Sequence, residues 1–283
     1  MMYTQVEVRS PKTLAQALNL LAQDDGLRIV SGGTDVAVYL KDGNLKEGNL
    51  LDISHVEGLS YVRDRGRTVS VGARTTFSQI VESGLIRRSS PLLAEASAVV
   101  GSLQIRNLAT LAGNICNASP AADSLPPLYV HEAAVVLSSR QGSRKLPIRD
   151  FILGPRKTAR RPDEMLTEVL IPKLPSSHRH FFRKLGLRSS QAITVASVAA
   201  SWKGRDARIS LGAVAPTVVR ATRAEEFILE HGLDRENLNE VCLLVSEAAS
   251  PITDLRASKQ YRLAALRALA YQGFYEAMEG DPS

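Results

Sequence analysis

The run Ile29-Val30-Ser31-Gly32-Gly33-Thr34-Asp35-Val36 reads as a strand that turns through two glycines straight into a helix. The first N–H groups of a helix have no intrahelical partner, and the helix dipole adds positive potential there. Together they suit a phosphate, and glycines let a phosphate come close to the backbone. The alternative is an ordinary tight turn with Thr34 as the helix cap. The spacing is not G-x-G-x-x-G, and no Gly-Lys-Ser/Thr follows to make a P-loop.

A second segment, residues 104–123, is rich in small, hydroxyl and amide side chains and poor in large apolar ones. It cannot build a core, so a loop of this length needs a reason. Its Thr, Asn and Ser groups and backbone amides suit further phosphate or sugar contacts; an irregular surface loop is the alternative. Other chemistry is sparse. His178 and His180 are spaced for one face of a strand, but no carboxylate or cysteine accompanies them in sequence, so a solvated pair is preferred to a metal site. Cys116 lies inside the second segment and reads as a small buried residue. His55 and His131 read as structural, and no Ser-His-Asp or paired-carboxylate arrangement stands out. Between Arg140 and Arg161 lie eight basic residues and one acid, Asp150; this is either a docking face for an acidic partner or a solvated basic surface.

These residues need elements to hold them. Apolar spacing at Leu14, Leu18 and Leu21 predicts a first helix, with Ser10 as its cap and Pro11 in its first turn. Strands are expected at 28–30 and 50–53, with a helix at 36–41 between them. Residues 61–63 and 68–71 read as a hairpin around Gly66, followed by helices at 77–82 and 91–99. Residues 113–123 read as loop and 125–134 as helix. A second hairpin is expected over 134–139 and 145–148, then a strand at 166–171. Pro172 and Pro175 bracket the best domain boundary. Beyond it, strands are expected at 180–185, 193–202 and 207–214, and helices at 223–230, 236–249 and 258–278. The fold class is α+β, with an N-terminal region 1–175 and a C-terminal region 176–283.

The chain has 283 residues, 44% of them hydrophobic and 23% charged, which excludes a disordered or fibrous protein. Its net charge of +6 is too small to argue for nucleic acid, and aromatics are only 5%. No apolar run is long enough for a membrane span, and the first residues lack the apolar core of a signal peptide. Two distant cysteines, Cys116 and Cys242, exclude a disulfide framework, so the expected compartment is the cytoplasm.

Taken together, the motifs resemble those of the FAD-binding (medium) subunit of the molybdenum hydroxylases. That family includes the carbon monoxide dehydrogenase medium subunit and the xanthine dehydrogenase flavin domain. Ser31-Gly32-Gly33-Thr34-Asp35 resembles its first flavin motif. Thr110-Leu111-Ala112-Gly113-Asn114 resembles the second, which continues into Asn117-Ala118-Ser119-Pro120-Ala121-Ala122-Asp123. Gly154-Pro155-Arg156-Lys157-Thr158 resembles a G-x-R-K-T element, and residues 251–261 resemble the family's tail motif.

The resemblance implies a two-subdomain FAD-binding fold of the vanillyl-alcohol-oxidase/PCMH type, with subdomains at about 1–55 and 56–175. A small C-terminal domain of sheet and helices follows. It implies that Ile29, Val30, Ser31, Gly32, Gly33, Thr34, Asp35 and Val36 wrap the pyrophosphate and adenosine side of FAD. Thr110, Leu111, Gly113 and Asn114 form the second phosphate turn, and Asp123 is a polar partner of the ribityl or ring side. Leu166 and Ile193 pack near the isoalloxazine, and Lys184 lies near it as a cation that favours the reduced, anionic ring. The implied partners are a small subunit carrying [2Fe-2S] clusters and a molybdopterin large subunit, as a dimer of heterotrimers. The implied role is passing electrons to an external acceptor. Three departures stand out. Ala112 replaces the second glycine of the usual pair, Val100 replaces an aromatic beside the adenine, and Ser190 and Gln191 replace the acidic residues of NAD-reducing relatives, which speaks against NAD. A stand-alone flavin oxidoreductase and a flavin-free scaffold are the competing readings.

Overall fold

The computed structural model describes residues 5–43, 47–188 and 191–280. The first region holds β1 (Gln5–Arg9), α1 (Leu14–Leu21), β2 (Arg28–Val30), α2 (Thr34–Lys41) and β3 (Glu47–Asp52). Its strands form a parallel sheet in the order β1-β3-β2. Thr13, not Ser10, caps α1. Its side chain accepts from the Gln16 N–H, while the Gln16 side chain accepts from the Thr13 N–H. This reciprocal capping box satisfies two orphan donors at once, which Ser10 cannot do. Ala17, Leu18 and Leu21 then face Leu27, Leu51, Ile53, Val56 and Leu59 in a small core.

The middle region opens with β4 (Val62–Asp64) and β5 (Thr68–Gly72). A helical excursion follows: α3 (Phe77–Glu82), α4 (Gly84–Ser89), α5 (Pro91–Ala98), α6 (Leu103–Leu108), α7 (Leu111–Asn117) and α8 (Leu125–Val130). It closes with β6 (Ala134–Ser139), β7 (Gly142–Pro147), α9 (Ile148–Phe151), β8 (Ile152–Gly154), β9 (Lys157–Thr158) and β10 (Met165–Pro172). The antiparallel sheet runs β4-β5-β10-β6-β7, so β10 returns to the centre and closes the excursion. Side chains alternate across a strand. Met165 accordingly joins the first core, while Leu166 joins the middle core with Val71, Leu111, Ile115 and Leu137. The start of β10 therefore lies on the seam between the two cores.

The stretch expected as loop at 113–123 is in part helix α7. Thr110 caps it through the Gly113 N–H, and Leu111 and Ile115, one turn apart, are fully buried. A cap and two anchors outweigh the weak helix propensity of Gly113, Asn114 and Asn117.

The C-terminal region is a meander, β11 (Arg179–Gly186), β12 (Thr194–Lys203), β13 (Asp206–Gly212) and β14 (Val219–Arg220), covered by α10 (Thr222–His231), α11 (Leu238–Glu247) and α12 (Lys259–Glu279). Phe181, Trp202 and Phe274 meet edge-on at its centre. Gly273 lets α12 approach, because a Cβ there would sit 2.3 Å from the Phe181 ring. Arg262, almost fully buried, ties α12 to the carbonyls of Val195 and Ala213 and to Asp254. Leu92, Ala96 and Val130 pack on Phe182 and Ala199, joining this region to the middle one. Among the described residues no helix is long and apolar enough to cross a membrane.

Candidate functional site

A cavity of about 800 Å³ opens along the seam at the start of β10. One wall is the turn from β2 into α2, and all eight residues from Ile29 to Val36 line it. Gly33 is the N-cap of α2 with φ 70°, a left-handed conformation that glycine adopts without penalty, and no side chain caps the helix. The N–H groups of Gly32, Gly33, Thr34, Asp35 and Val36 have no hydrogen-bond acceptor among the described residues; the first bond of the helix is Ala37 N–H to the Gly33 carbonyl. Five consecutive free donors thus edge one cavity. Gly32 has a different task. A Cβ there would lie 1.8 Å from the Leu108 carbonyl oxygen, so the turn rests directly on the end of α6.

The opposite wall comes from the middle region. Thr110, Ala112, Gly113, Asn114, Cys116 and Asn117 line it, with Leu166 and Met165 behind them. Leu111 does not: its side chain is fully buried, and its N–H donates to the Thr75 carbonyl. The Gly113 N–H donates to Thr110 Oγ1 at 3.1 Å, so that amide serves the helix cap. Ser124 Oγ donates to Asn114 Oδ1 at 2.7 Å, which leaves the Asn114 amide nitrogen for the cavity. Ala112 sits in the first turn of α7 and is not among the left-handed residues, so the methyl in place of glycine is accommodated without strain. Val100 is partly buried against the middle core.

Three arginines, Arg28, Arg156 and Arg160, line the cavity. Arg160 donates to the carbonyls of Arg161, Pro162 and Glu164 at 2.7–3.1 Å and has no carboxylate partner among the described residues. Its charge is fixed in place and uncompensated. The Asp35 carboxyl is pushed up from its ordinary value by desolvation, against the pull of Arg156. Burial pushes the Cys116 thiol up to about 11 despite the nearby Arg160, so it stays protonated at neutral pH. Arg156, Thr158 and Arg160 come from the basic stretch expected to be surface. Only Arg156 and Thr158 carried a motif signal, and Arg28 and Tyr39 carried none. Elsewhere in that stretch Arg144 is spent on Glu164, as a two-pronged ion pair at 2.6 and 2.9 Å.

Asp123 and Lys184 do not line this cavity. They form a buried ion pair of 2.6 Å, in which Asp123 also accepts from Thr194 Oγ1 and Lys184 also donates to the Val99 carbonyl. Burial pushes the Asp123 carboxyl up, and Lys184 and Thr194 oppose it. Lys184 is therefore a neutralised cation. Ile193 is 54% exposed and likewise off the cavity wall. Gln191 has φ 52° at the bend before β12, and Ser190 lies outside the described residues. His180 pairs with Glu95 at 3.4 Å and His178 approaches Ser201 at 3.3 Å, so the two face different partners. His131 is fully buried, with Nδ1 2.8 Å from the Pro172 carbonyl.

A seam edged by free amides and arginines, with Leu166 and Met165 also lining it, is a cleft suited to a dinucleotide. Free amides and arginines of this kind suit an anionic phosphate, and apolar lining suits a planar ring. Residues 4–174 match the family of FAD binding domains in molybdopterin dehydrogenase, and residues 180–277 match the CO dehydrogenase flavoprotein C-terminal domain. The chain belongs to this family of FAD-binding subunits of molybdenum-containing oxidoreductases. It is 31% identical to a xanthine dehydrogenase FAD-binding subunit of Escherichia coli O157:H7, covering 94% of each chain. It is 29% identical to the carbon monoxide dehydrogenase medium chain of Afipia carboxidovorans, covering 89% of each. Among solved structures, it superposes on carbon monoxide dehydrogenase from Hydrogenophaga pseudoflava with a TM-score of 0.92 and 27% identity, covering 98% of this chain and 99% of the other.

Proposed function

We propose that the β2–α2 turn holds the pyrophosphate of FAD, and that the chain relays electrons from [2Fe-2S] clusters on a small subunit to an external acceptor. The observation that carries the placement is the row of five unpaired N–H groups along the cavity. When bound, FAD supplies the exchange between two-electron and one-electron steps. The chain's own residues bind and orient. Gly32 to Val36 offer amides, Arg28, Arg156 and Arg160 offer positive charge, and Thr110, Asn114 and Thr158 offer polar contacts on the facing wall. Leu166 and Met165 supply the apolar surface for the ring. Asp123 and Lys184 stand behind this wall as a neutral pair, so the field that Lys184 casts on the cavity is weak.

A stand-alone oxidase would need a base beside the ring that is active near neutral pH. Among the described residues Asp35 is the one carboxylate lining the cavity and it sits in the amide-bearing turn, no histidine lines it, and the Cys116 thiol stays protonated. This favours the relay. Iron–sulfur and molybdopterin subunits, assembled as a dimer of heterotrimers in the cytoplasm, complete the reading. The test is rapid mixing of the purified complex, reduced by its substrate, with candidate acceptors while the flavin band is followed. Reoxidation of the flavin at the rate of turnover supports the relay. An isolated chain that oxidises a small substrate at full rate, with no iron or molybdenum present, overturns it.

A further inference from the structure

Helix α2 carries the free amides, yet none of its side chains is buried. Its apolar face, Val36, Tyr39 and Leu40, is only half-buried, and a helix of eight residues so lightly packed has little of its own to hold it. Among the described residues, its single side-chain hydrogen bond to the rest of the protein is made by Tyr39. Tyr39 Oη donates to Asn117 Oδ1 at 3.0 Å. Arg156 Nη1 donates to the same oxygen, also at 3.0 Å. The Arg156 guanidinium carbon lies 5.2 Å from the Tyr39 ring centroid, and that of Arg28 lies 5.9 Å from it. Asn117 ends α7, and Arg156 sits in the turn between β8 and β9. One amide oxygen therefore joins three segments around the cavity.

The backbone beneath this junction is unusual. Ala118 and Arg156 are both left-handed, at φ 46° and 56°, and neither is glycine. The Arg156 N–H donates to the Ala118 carbonyl at 2.9 Å, which locks the two together. Strain of this kind persists where the surroundings over-determine it, and it clusters at ligand clamps.

We infer that Tyr39, Asn117 and Arg156 form a latch that closes α2 over the cofactor cavity and sets the rate at which FAD leaves. The inference rests on the reading that FAD occupies this cavity. Tyr39 and Asn117 are positioning residues here, acting through α2 and its amides, while Arg156 also offers its charge to the cavity. Asn117 is the keystone, as both donors share its oxygen.

The full chain is purified with its bound FAD, and release is followed by flavin fluorescence after mixing with excess apo-flavoprotein as scavenger. Tyr39→Phe removes one hydroxyl and no packing volume; release is expected to quicken about three- to tenfold, the range for one lost hydrogen bond. Asn117→Ala, which loses both bonds, is expected to release faster still. Tyr39→Phe in the Asn117→Ala background is expected to add nothing, because its acceptor is already gone. Unchanged release in Tyr39→Phe, or full additivity in the double variant, overturns the latch while FAD stoichiometry near one in the parent leaves the cavity reading standing. A parent chain without FAD overturns both. If Asn117→Ala does not fold, Tyr39→Phe carries the test, with thermal unfolding of the flavin-free proteins as the readout of a merely structural role. A fall in that midpoint with unchanged release contradicts the latch.

Discussion

Gly32 and Gly33 are adjacent, yet each answers a different constraint. Gly32 has no room for a side chain because the Leu108 carbonyl lies where its Cβ would be. Gly33 has room, with only Val30 Cγ1 at 3.8 Å, but its φ of 70° is left-handed. Gly32→Ala is therefore expected to push the turn off α6 and leave folded chain with a small fraction of the parent's flavin. Gly33→Ala is expected to keep flavin and to cost about 1 kcal/mol of stability. The flavin-to-protein absorbance ratio and the unfolding midpoint separate the two, and equal flavin loss in both would contradict the assignment. The glycine pair was legible in the sequence. Which glycine is sterically pinned was not, because the pinning carbonyl lies far along the chain. His131 gives a second prediction at this scale. Burial holds its imidazole down to about 4, against the pull of the Pro172 carbonyl, whereas the unfolded chain protonates near 6.5. Between those values only the unfolded chain takes up the proton. Stability is thus fully present above about pH 6.5 and falls as the pH drops toward 4, by about 3 kcal/mol at most. Urea unfolding at pH 7 and pH 5 should show this loss in the parent and a smaller one in His131→Asn.

At the scale of elements, hydrophobic periodicity located most helices and strands, and the errors have local causes. Helix α7 was hidden because its exposed face carries Gly113, Asn114 and Asn117, which disfavour a helix, while its signal is only Thr110, Leu111 and Ile115. Ser10-Pro11 has the form of a helix opening, but the Thr13–Gln16 reciprocity, equally visible in the sequence, is physically stronger. Lys184, on β11, could be matched to a family position, but no sequence signal revealed that Asp123 neutralises it. Lys184→Met would leave the Asp123 carboxylate buried and unpaired beside Thr194. The expected cost is about 3–5 kcal/mol of stability, the usual range for breaking a buried pair. The flavin's reduction potential should move little, because the Asp123 carboxyl, already pushed up by burial, takes up a proton once its cation is gone and leaves no net charge behind. A large shift in potential with unchanged stability would instead make Lys184 a free cation acting on the ring.

The whole molecule places its cavity where two independently built cores meet. Met165 and Leu166 belong to different cores because adjacent residues of a strand face opposite ways. The seam is therefore a consequence of folding, and the free amides of α2 reach it because β2 ends there. Composition excluded whole classes of protein but could not show this seam. The motifs pointed to the two turns that line it, while Arg28 and Arg160, which line it too, had no pattern to betray them. All of these roles depend on FAD occupying this seam. The most direct test of that occupancy is the amount of FAD bound per purified full-length chain, measured by the visible spectrum and mass identification after heat release, for the parent and for Gly32→Ala. Close to one FAD per parent chain, and a small fraction of that in the variant, is expected. Full FAD content in a folded Gly32→Ala protein, or a folded parent that neither carries nor takes up FAD, would contradict it.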